Sequence, residues 1–213
     1  MAFFIVFYGF YFNILLLLLV PAVYQSLVHL AYLLLFYGAA LIDNIVRPVP
    51  EKKELDPYTR TLLVFFGIQP FLFALAFYEN LFLISVFVPA YDNWLVAFAG
   101  LVLYVVAAGI SVGSRVQLGT QGSGRIEIRQ DHNLVTTGMY GLVRHPMYLG
   151  GLLGTVAFGL VFRSIVVMLL ALVIFLAVFR ERWLREEEMM EAQFGDEYKE
   201  YKKRTKRLIP GIY

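Results

Sequence analysis

Two polar clusters stand between Gly138 and Pro210: Arg144-His145-Pro146-Met147-Tyr148 and, further along, Glu186-Glu187-Glu188. A guanidinium and an imidazole suit an anion, and a run of carboxylates suits an ammonium or hydroxyl groups. Together they suit a small zwitterion. Proline is favoured in the first helical turn and disfavours helix in the residue before it, so a helix is predicted to start at Pro146 with His145 at its cap. The amides of such a helix start favour an anion, and Arg144 adds a fixed positive charge. Each cluster also has a plain explanation. Arg144 can snorkel to lipid phosphate while His145 merely caps. Three consecutive acids point about 100° apart, so at most two face one cavity, and Arg180, Arg182 and Arg185 can balance them in water. The clusters explain each other only if they meet, as a polar pocket at the edge of an apolar bundle.

The elements that must position them are apolar helices. The chain of 213 residues is 60% hydrophobic and 16% charged, with a mean hydropathy of +0.69. Apolar runs near the ~20 residues needed to cross a bilayer recur. The expected fold is all-α, a polytopic integral membrane helical bundle with about six transmembrane helices and a C-terminal amphipathic cytoplasmic tail helix. The spans are read at 3–22, 25–45, 60–79, 94–113, 146–162 and 165–182. Residues 81–90 are apolar but too short to span. Arg163-Ser164 makes a tight turn, so the last two spans form an antiparallel hairpin. Every Lys and Arg except Arg163 falls in 46–60, in 114–145 or from Arg180 onward, which lie on one face if there are six spans. Both termini are therefore expected in the cytoplasm. In the tail, Met190, Phe194 and Tyr198 recur at intervals of four. Gly195 can stop one helix and Asp196 cap the next. Such a helix fits anionic headgroups and is also placed to close a site. A single membrane domain, 1–213, is expected, with N-terminal helices in 1–113 and the cofactor-binding and catalytic part in 114–213. The N-terminus lacks a basic flank and reads as a retained helix.

Other polar positions carry less. Cysteine is absent, so thiolates and disulfides are excluded. Three scattered histidines, His29, His132 and His145, make no metal set. Neither a phosphate-binding loop nor a serine nucleophile elbow is present, and nothing points to nucleic acid. Gly150 and Gly154 have the spacing that lets helices approach closely. Helix packing is their ordinary role, with passage of a ligand as the alternative. Asn13 and Gln69-Pro70 read as packing or kink features. His29 reads as an interhelical hydrogen-bonding group.

Taken in order, four blocks resemble one family. They are Leu134-Val-Thr-Thr-Gly138-Met-Tyr140-Gly-Leu-Val-Arg144-His145-Pro146-Met-Tyr148-Leu-Gly150, Glu186-Glu187, Phe194-Gly195-Asp-Glu-Tyr198-Lys-Glu-Tyr201 and Arg207-Leu-Ile-Pro210. The family is the isoprenylcysteine carboxyl methyltransferases and their prokaryotic relatives; the phospholipid methyltransferases share parts of the pattern. The resemblance implies S-adenosyl-L-methionine as methyl donor, bound among the last helices and the tail. Carried over, Gly138, Tyr140, His145, Pro146, Tyr148, Gly150, Glu186 and Glu187 form the cofactor site, and Arg144 and Glu187 are the catalytic candidates. The implied acceptor is lipophilic, a prenylated cysteine or a lipid, taken from the membrane at its cytoplasmic face. That membrane is the cell membrane in a prokaryote and the endoplasmic reticulum in a eukaryote.

Within this reading, amides near His145 take the methionine carboxylate, and Glu186 or Glu187 takes its amino group or the ribose hydroxyls. Arg144 orients an acid acceptor. Loss of cofactor binding is expected for both Glu186→Gln and Glu187→Gln. An acid acceptor needs no general base, whereas an amine does. Phospholipid N-methylation is one alternative. NADPH-dependent sterol-reductase-type enzymes are another, with a similar Arg-His…Tyr block and a similar Pro210-to-Tyr213 ending. The pattern expected there has Asn and Asp where this chain has Met147 and Gly151. A non-enzymatic membrane protein, such as a transporter subunit, is disfavoured by the lack of ionisable residues in mid-span.

Overall fold

The computed structural model describes residues 11, 13–19, 26–47, 57–79, 93–122 and 132–211. Among these residues regular structure is helical: α1 (Asn13–Leu19), α2 (Leu27–Val46), α3 (Pro57–Glu79), α4 (Trp94–Leu118), α5 (Met139–Leu142), α6 (Pro146–Val161) and α7 (Ile165–Arg204). Four of the predicted spans, 25–45, 60–79, 94–113 and 146–162, coincide with α2, α3, α4 and α6 to within a few residues. Only part of 3–22 is described, as α1. The 81–90 segment and residues 48–56 lie outside the described residues. The largest departure is α7. It does not end near 182 but continues through the charged stretch to Arg204. Glu, Arg, Met and Lys are good helix formers, so the change from apolar to charged residues changes the surroundings of the helix and not its conformation.

The surface has the character a bilayer requires. Leu27–Val46 and the run from Trp94 to Gln121 are long and apolar enough to cross a membrane, yet only 17% and 22% of their most apolar windows are buried. Helices at the core of a water-soluble protein would be mostly buried. Large apolar side chains such as Leu34, Ile45, Val102 and Val173 instead point outward. This is a helical membrane protein.

The interior is aromatic. Tyr32 and Leu33 of α2, Phe73 of α3, Phe158 of α6 and Val167 of α7 bury together with Phe162. The tightest approach is between α4 and α6. A Cβ on Gly100 would lie 2.7 Å from the Val161 amide nitrogen, and one on Gly150 would lie 2.7 Å from the Ala107 carbonyl oxygen. Close approach of backbones through small residues is how membrane helices gain packing energy without a hydrophobic drive.

The α6–α7 turn falls where the sequence places it, with Arg163 at φ 52. Ser164 occupies the N-cap position of α7, but its side chain makes no capping bond to the helix. The cap comes from α3. Glu79 is buried; it accepts from the Val166 and Val167 amides, each at 2.9 Å, and from the Ser164 hydroxyl. A carboxylate suits a helix N-terminus both by hydrogen bonding and by charge. Glu79→Ala is expected to lower stability by about 1–2 kcal/mol, read as a fall in the unfolding midpoint in detergent. An unchanged midpoint would remove Glu79 from this role.

Candidate active site

Gly195 has φ 53 and ψ −123 inside α7, a left-handed conformation that glycine tolerates and other residues resist. The bend there swings the last turns of α7 back across the bundle. Beyond Arg204 the chain runs beside Val143–His145. Val143 and Lys206 form a parallel bridge. The Arg144 amide donates to the Lys206 carbonyl at 2.8 Å, and the His145 amide to the Arg207 carbonyl at 3.1 Å. Tyr201 donates its hydroxyl to the Tyr140 carbonyl at 2.6 Å. The tail thus straps the start of α6, and Leu208 packs below it with Tyr148, Phe175, Phe179 and Trp183.

The two polar clusters meet under this strap. Pro146 is the first residue of α6 and His145 its cap position, as predicted, but the His145 side chain makes no capping bond. Its ring lies between the acids, with Nε2 3.2 Å from Glu187 Oε1 and Nδ1 3.6 Å from Glu186 Oε2. Adjacent carboxylates divide the work. Glu187 is buried and accepts from Arg144 Nε at 3.0 Å and from both Nε and Nη2 of Arg207 at 3.0 and 2.8 Å. Arg144 also donates through Nη1 to the Lys202 carbonyl at 3.2 Å and to that of Thr205. Glu187 therefore clasps the strap to α6. Burial alone would raise its carboxyl, but the hydrogen bonds from His145, Arg207 and Arg144 outweigh burial and hold it below the ordinary glutamate range. Glu186, one residue earlier, accepts from the Tyr148 hydroxyl. Arg182 Nε donates to that same hydroxyl at 2.8 Å and lies 3.4 Å from Glu186 Oε1.

A cavity of about 360 Å³ opens beside Glu186, within the size range of small-molecule sites. Of the residues singled out in the sequence, Tyr140, Arg144, His145, Tyr148 and Glu186 line it. Gly138, Pro146, Gly150 and Glu187 are not among the lining residues. Gly138 has φ 55, with Gln117 packed where a Cβ would stand, and Gly150 packs on α4. Gly154 needs no such closeness, since a Cβ there would meet only Ala107 Cβ at 4.0 Å. One end of the cavity is apolar, walled by Met147, Gly151, Phe175 and Phe179. The other is polar.

The sequence reading missed part of the polar wall. Asp43 and Arg47 come from the end of α2, Arg115 from α4, Gln121 from the turn after α4, and His132 from the loop before α5. Arg47 and Arg115 entered that reading only as topology markers. An acid and a base spaced i, i+4 at the end of an apolar helix, as in Asp43 and Arg47, were the available signal. Tyr140 Oη and Gln121 Oε1, both buried on this wall, lack a hydrogen-bond partner among the described residues. Burial pushes the Tyr140 hydroxyl up, so it remains a donor at neutral pH. A bound molecule offering both an acceptor and a donor would satisfy the pair.

Comparison with known proteins bears on this geometry. Residues 95–197 match the family model of phospholipid methyltransferases, a segment that runs from α4 to just past the Gly195 bend. The protein-S-isoprenylcysteine O-methyltransferase of Schizosaccharomyces pombe is 35% identical over 83 residues, which are 39% of this chain and 35% of that protein. Protein-S-isoprenylcysteine O-methyltransferase B of Arabidopsis thaliana is 28% identical over 123 residues, 57% of this chain and 62% of that one. The chain is similar to the isoprenylcysteine methyltransferases. The match spans about a third to two thirds of these relatives' own length. A solved structure of the eukaryotic intramembrane Ras methyltransferase, an isoprenylcysteine carboxyl methyltransferase, superposes with a TM-score of 0.64. It does so at 20% identity and covers 95% of this chain and 74% of that one. The fold is therefore that of a known membrane methyltransferase.

Proposed function

We propose that this chain is an S-adenosylmethionine-dependent methyltransferase that methylates the carboxylate of a lipophilic, prenylcysteine-like acceptor at the cytoplasmic face of a membrane. The observation that carries the acid acceptor is the charge of the cavity wall. Four arginines, Arg47, Arg115, Arg144 and Arg182, face two carboxylates, Asp43 and Glu186. A wall with this excess of positive charge favours an anionic acceptor. It disfavours an amine, which must first lose a proton.

The residues present fit the donor. Glu186 suits an ammonium or hydroxyl groups, and the orphaned Tyr140 and Gln121 atoms suit the edge of a heterocycle or a sugar. When bound, S-adenosylmethionine would supply an electrophilic methyl group on a sulfonium, which a carboxylate acceptor can take without giving up a proton. The chain's own part is placement. Tyr148 and Arg182 fix the rotamer of Glu186. Arg144, with Nε held by Glu187 and Nη1 by the carbonyls of Lys202 and Thr205, has Nη2 left for the acceptor. Phe175, Phe179 and Met147 exclude water, which favours the joining of opposite charges held in line. The apolar end of the cavity gives the lipid portion a route between α6 and α7.

The six-span topology is part of the same proposal. It places α2's end, α4's end and the strap together at the cytoplasmic face, where the basic residues collect, with both termini on that side. The match to the phospholipid methyltransferase model favours a second reading, N-methylation of a lipid amine. Labelled S-adenosylmethionine offered with prenylcysteines and aminophospholipids in detergent separates the two. Base-labile label on a prenylcysteine is expected, whereas base-stable label on the amine would establish the second reading. In this assay Arg144→Ala is expected to cut turnover at least tenfold, and full turnover would remove Arg144 from the site.

A further inference from the structure

The geometry points to Arg47, contributed by α2 outside the segment that carries the methyltransferase resemblance, as a second group, beside Arg144, that reads the acid of the acceptor. This rests on the function proposed above.

The cavity's four arginines are not equally committed. Arg115 is nearly buried, with 10% of its side chain exposed. Its Nε bonds Asp43 and its Nη1 the Gly122 carbonyl. Arg144 is held by Glu187 and two carbonyls of the strap. Arg182 is engaged by Tyr148 and Glu186. Arg47 differs from all three. It follows the last turn of α2 as its C-cap, and 42% of its side chain is exposed. Among the described residues its hydrogen bond is a single one, from Nη2 to Asp43 Oδ2. A guanidinium carries five N–H donors in a planar fork, so most of its capacity is available to the cavity it lines.

Charge supports the same assignment. Asp43 gives Oδ1 to Arg115 and Oδ2 to Arg47. One carboxylate shared by two guanidinium groups leaves this corner net positive. Arg115 is locked, so an added anion would meet Arg47, in the bidentate arrangement that guanidinium and carboxylate favour. Its place at the end of an apolar helix is also where an acceptor anchored by a lipid tail would present its polar end. Arg47 is thus a specificity-determining residue, and α2 is part of the acceptor site as well as of the bundle.

The test compares an S-prenylcysteine bearing a free carboxylate with its carboxamide in wild type, Arg47→Ala and Arg47→Lys, alongside the Kd for S-adenosylmethionine. Arg47→Ala is expected to raise KM for the acid roughly tenfold or more. Affinity for the carboxamide, measured as a competitor, and for S-adenosylmethionine should stay within about twofold. Arg47→Lys should recover part of the loss, since it restores charge without the fork. An unchanged KM in Arg47→Ala overturns the assignment. So does an equal weakening of acid, carboxamide and S-adenosylmethionine, which would make Arg47 purely structural. Wild-type protein that methylates no prenylcysteine overturns the underlying reading instead.

Discussion

Replacing Glu187 with alanine is expected to cost roughly 3–5 kcal/mol, the usual penalty for breaking a buried ion pair and leaving its partners uncompensated. Three partners would be stranded. Arg144, Arg207 and His145 all bond this carboxylate, and the side chains of Glu187 and Arg144 are only 5% and 9% exposed. The damage should be directional. Arg207 belongs to the strap and Arg144 to the start of α6, so the tail should detach before the bundle unfolds. Limited proteolysis after Gly195, together with the unfolding midpoint, would show this. A variant with wild-type protease resistance would contradict the clasp. The effect has a pH counterpart with a definite sign. The folded-state carboxyl sits below its ordinary value near 4.5, so its contribution is present above that value and is lost as pH falls below it. Wild-type protein should lose tail docking on acidification. Glu187→Gln should lack that step because it has no proton to take up.

The second large effect is expected at Gly150. A Cβ there would stand 2.1 Å from Ser111 Oγ, 2.7 Å from the Ala107 carbonyl oxygen and 3.0 Å from the Ser111 amide nitrogen. The hydroxyl can rotate away, but the α4 backbone cannot. Gly150→Ala must therefore part α4 from α6, at about 3 kcal/mol, the upper end for overpacking. It should also shift His145 and Tyr148, which stand on the same helix. Gly154→Ala, one turn further, should stay within about 0.5 kcal/mol of wild type. Equal behaviour of the two variants in thermal unfolding would contradict the asymmetric packing.

These two sites show what could be read from the chain alone. That Arg144-His145 and the acidic run face each other was legible, because one small zwitterion accounts for both clusters at once. Pro146 as the first residue of α6 was legible from local backbone chemistry. The separate roles of Glu186 and Glu187 were not. Neighbours about 100° apart on a helix exchange roles with a modest rotation of α7, and that rotation is fixed by the burial of Phe175, Phe179 and Trp183. The same holds for Gly150 and Gly154, which share a spacing but not a neighbour. Asp43, Arg115 and Glu79 were hidden for another reason. Asp43 meets Arg115 across 72 residues, and Glu79 meets Ser164 across 85, distances over which single-chain periodicity carries no signal. The bend at Gly195 was legible as a break, whereas the return of 205–208 onto Val143–His145 depended on a backbone pairing no side-chain pattern announces.

On the proposed function, the cavity beside Glu186 holds S-adenosylmethionine. Titration calorimetry of the detergent-purified protein tests it directly, with wild type and Glu186→Gln compared against NADPH as a control ligand. Saturable binding of S-adenosylmethionine to wild type is predicted, weakened at least tenfold in Glu186→Gln at an unchanged unfolding midpoint, with no heat from NADPH. Binding that is absent, or equally tight in both proteins, would mean that Glu186 does not hold S-adenosylmethionine.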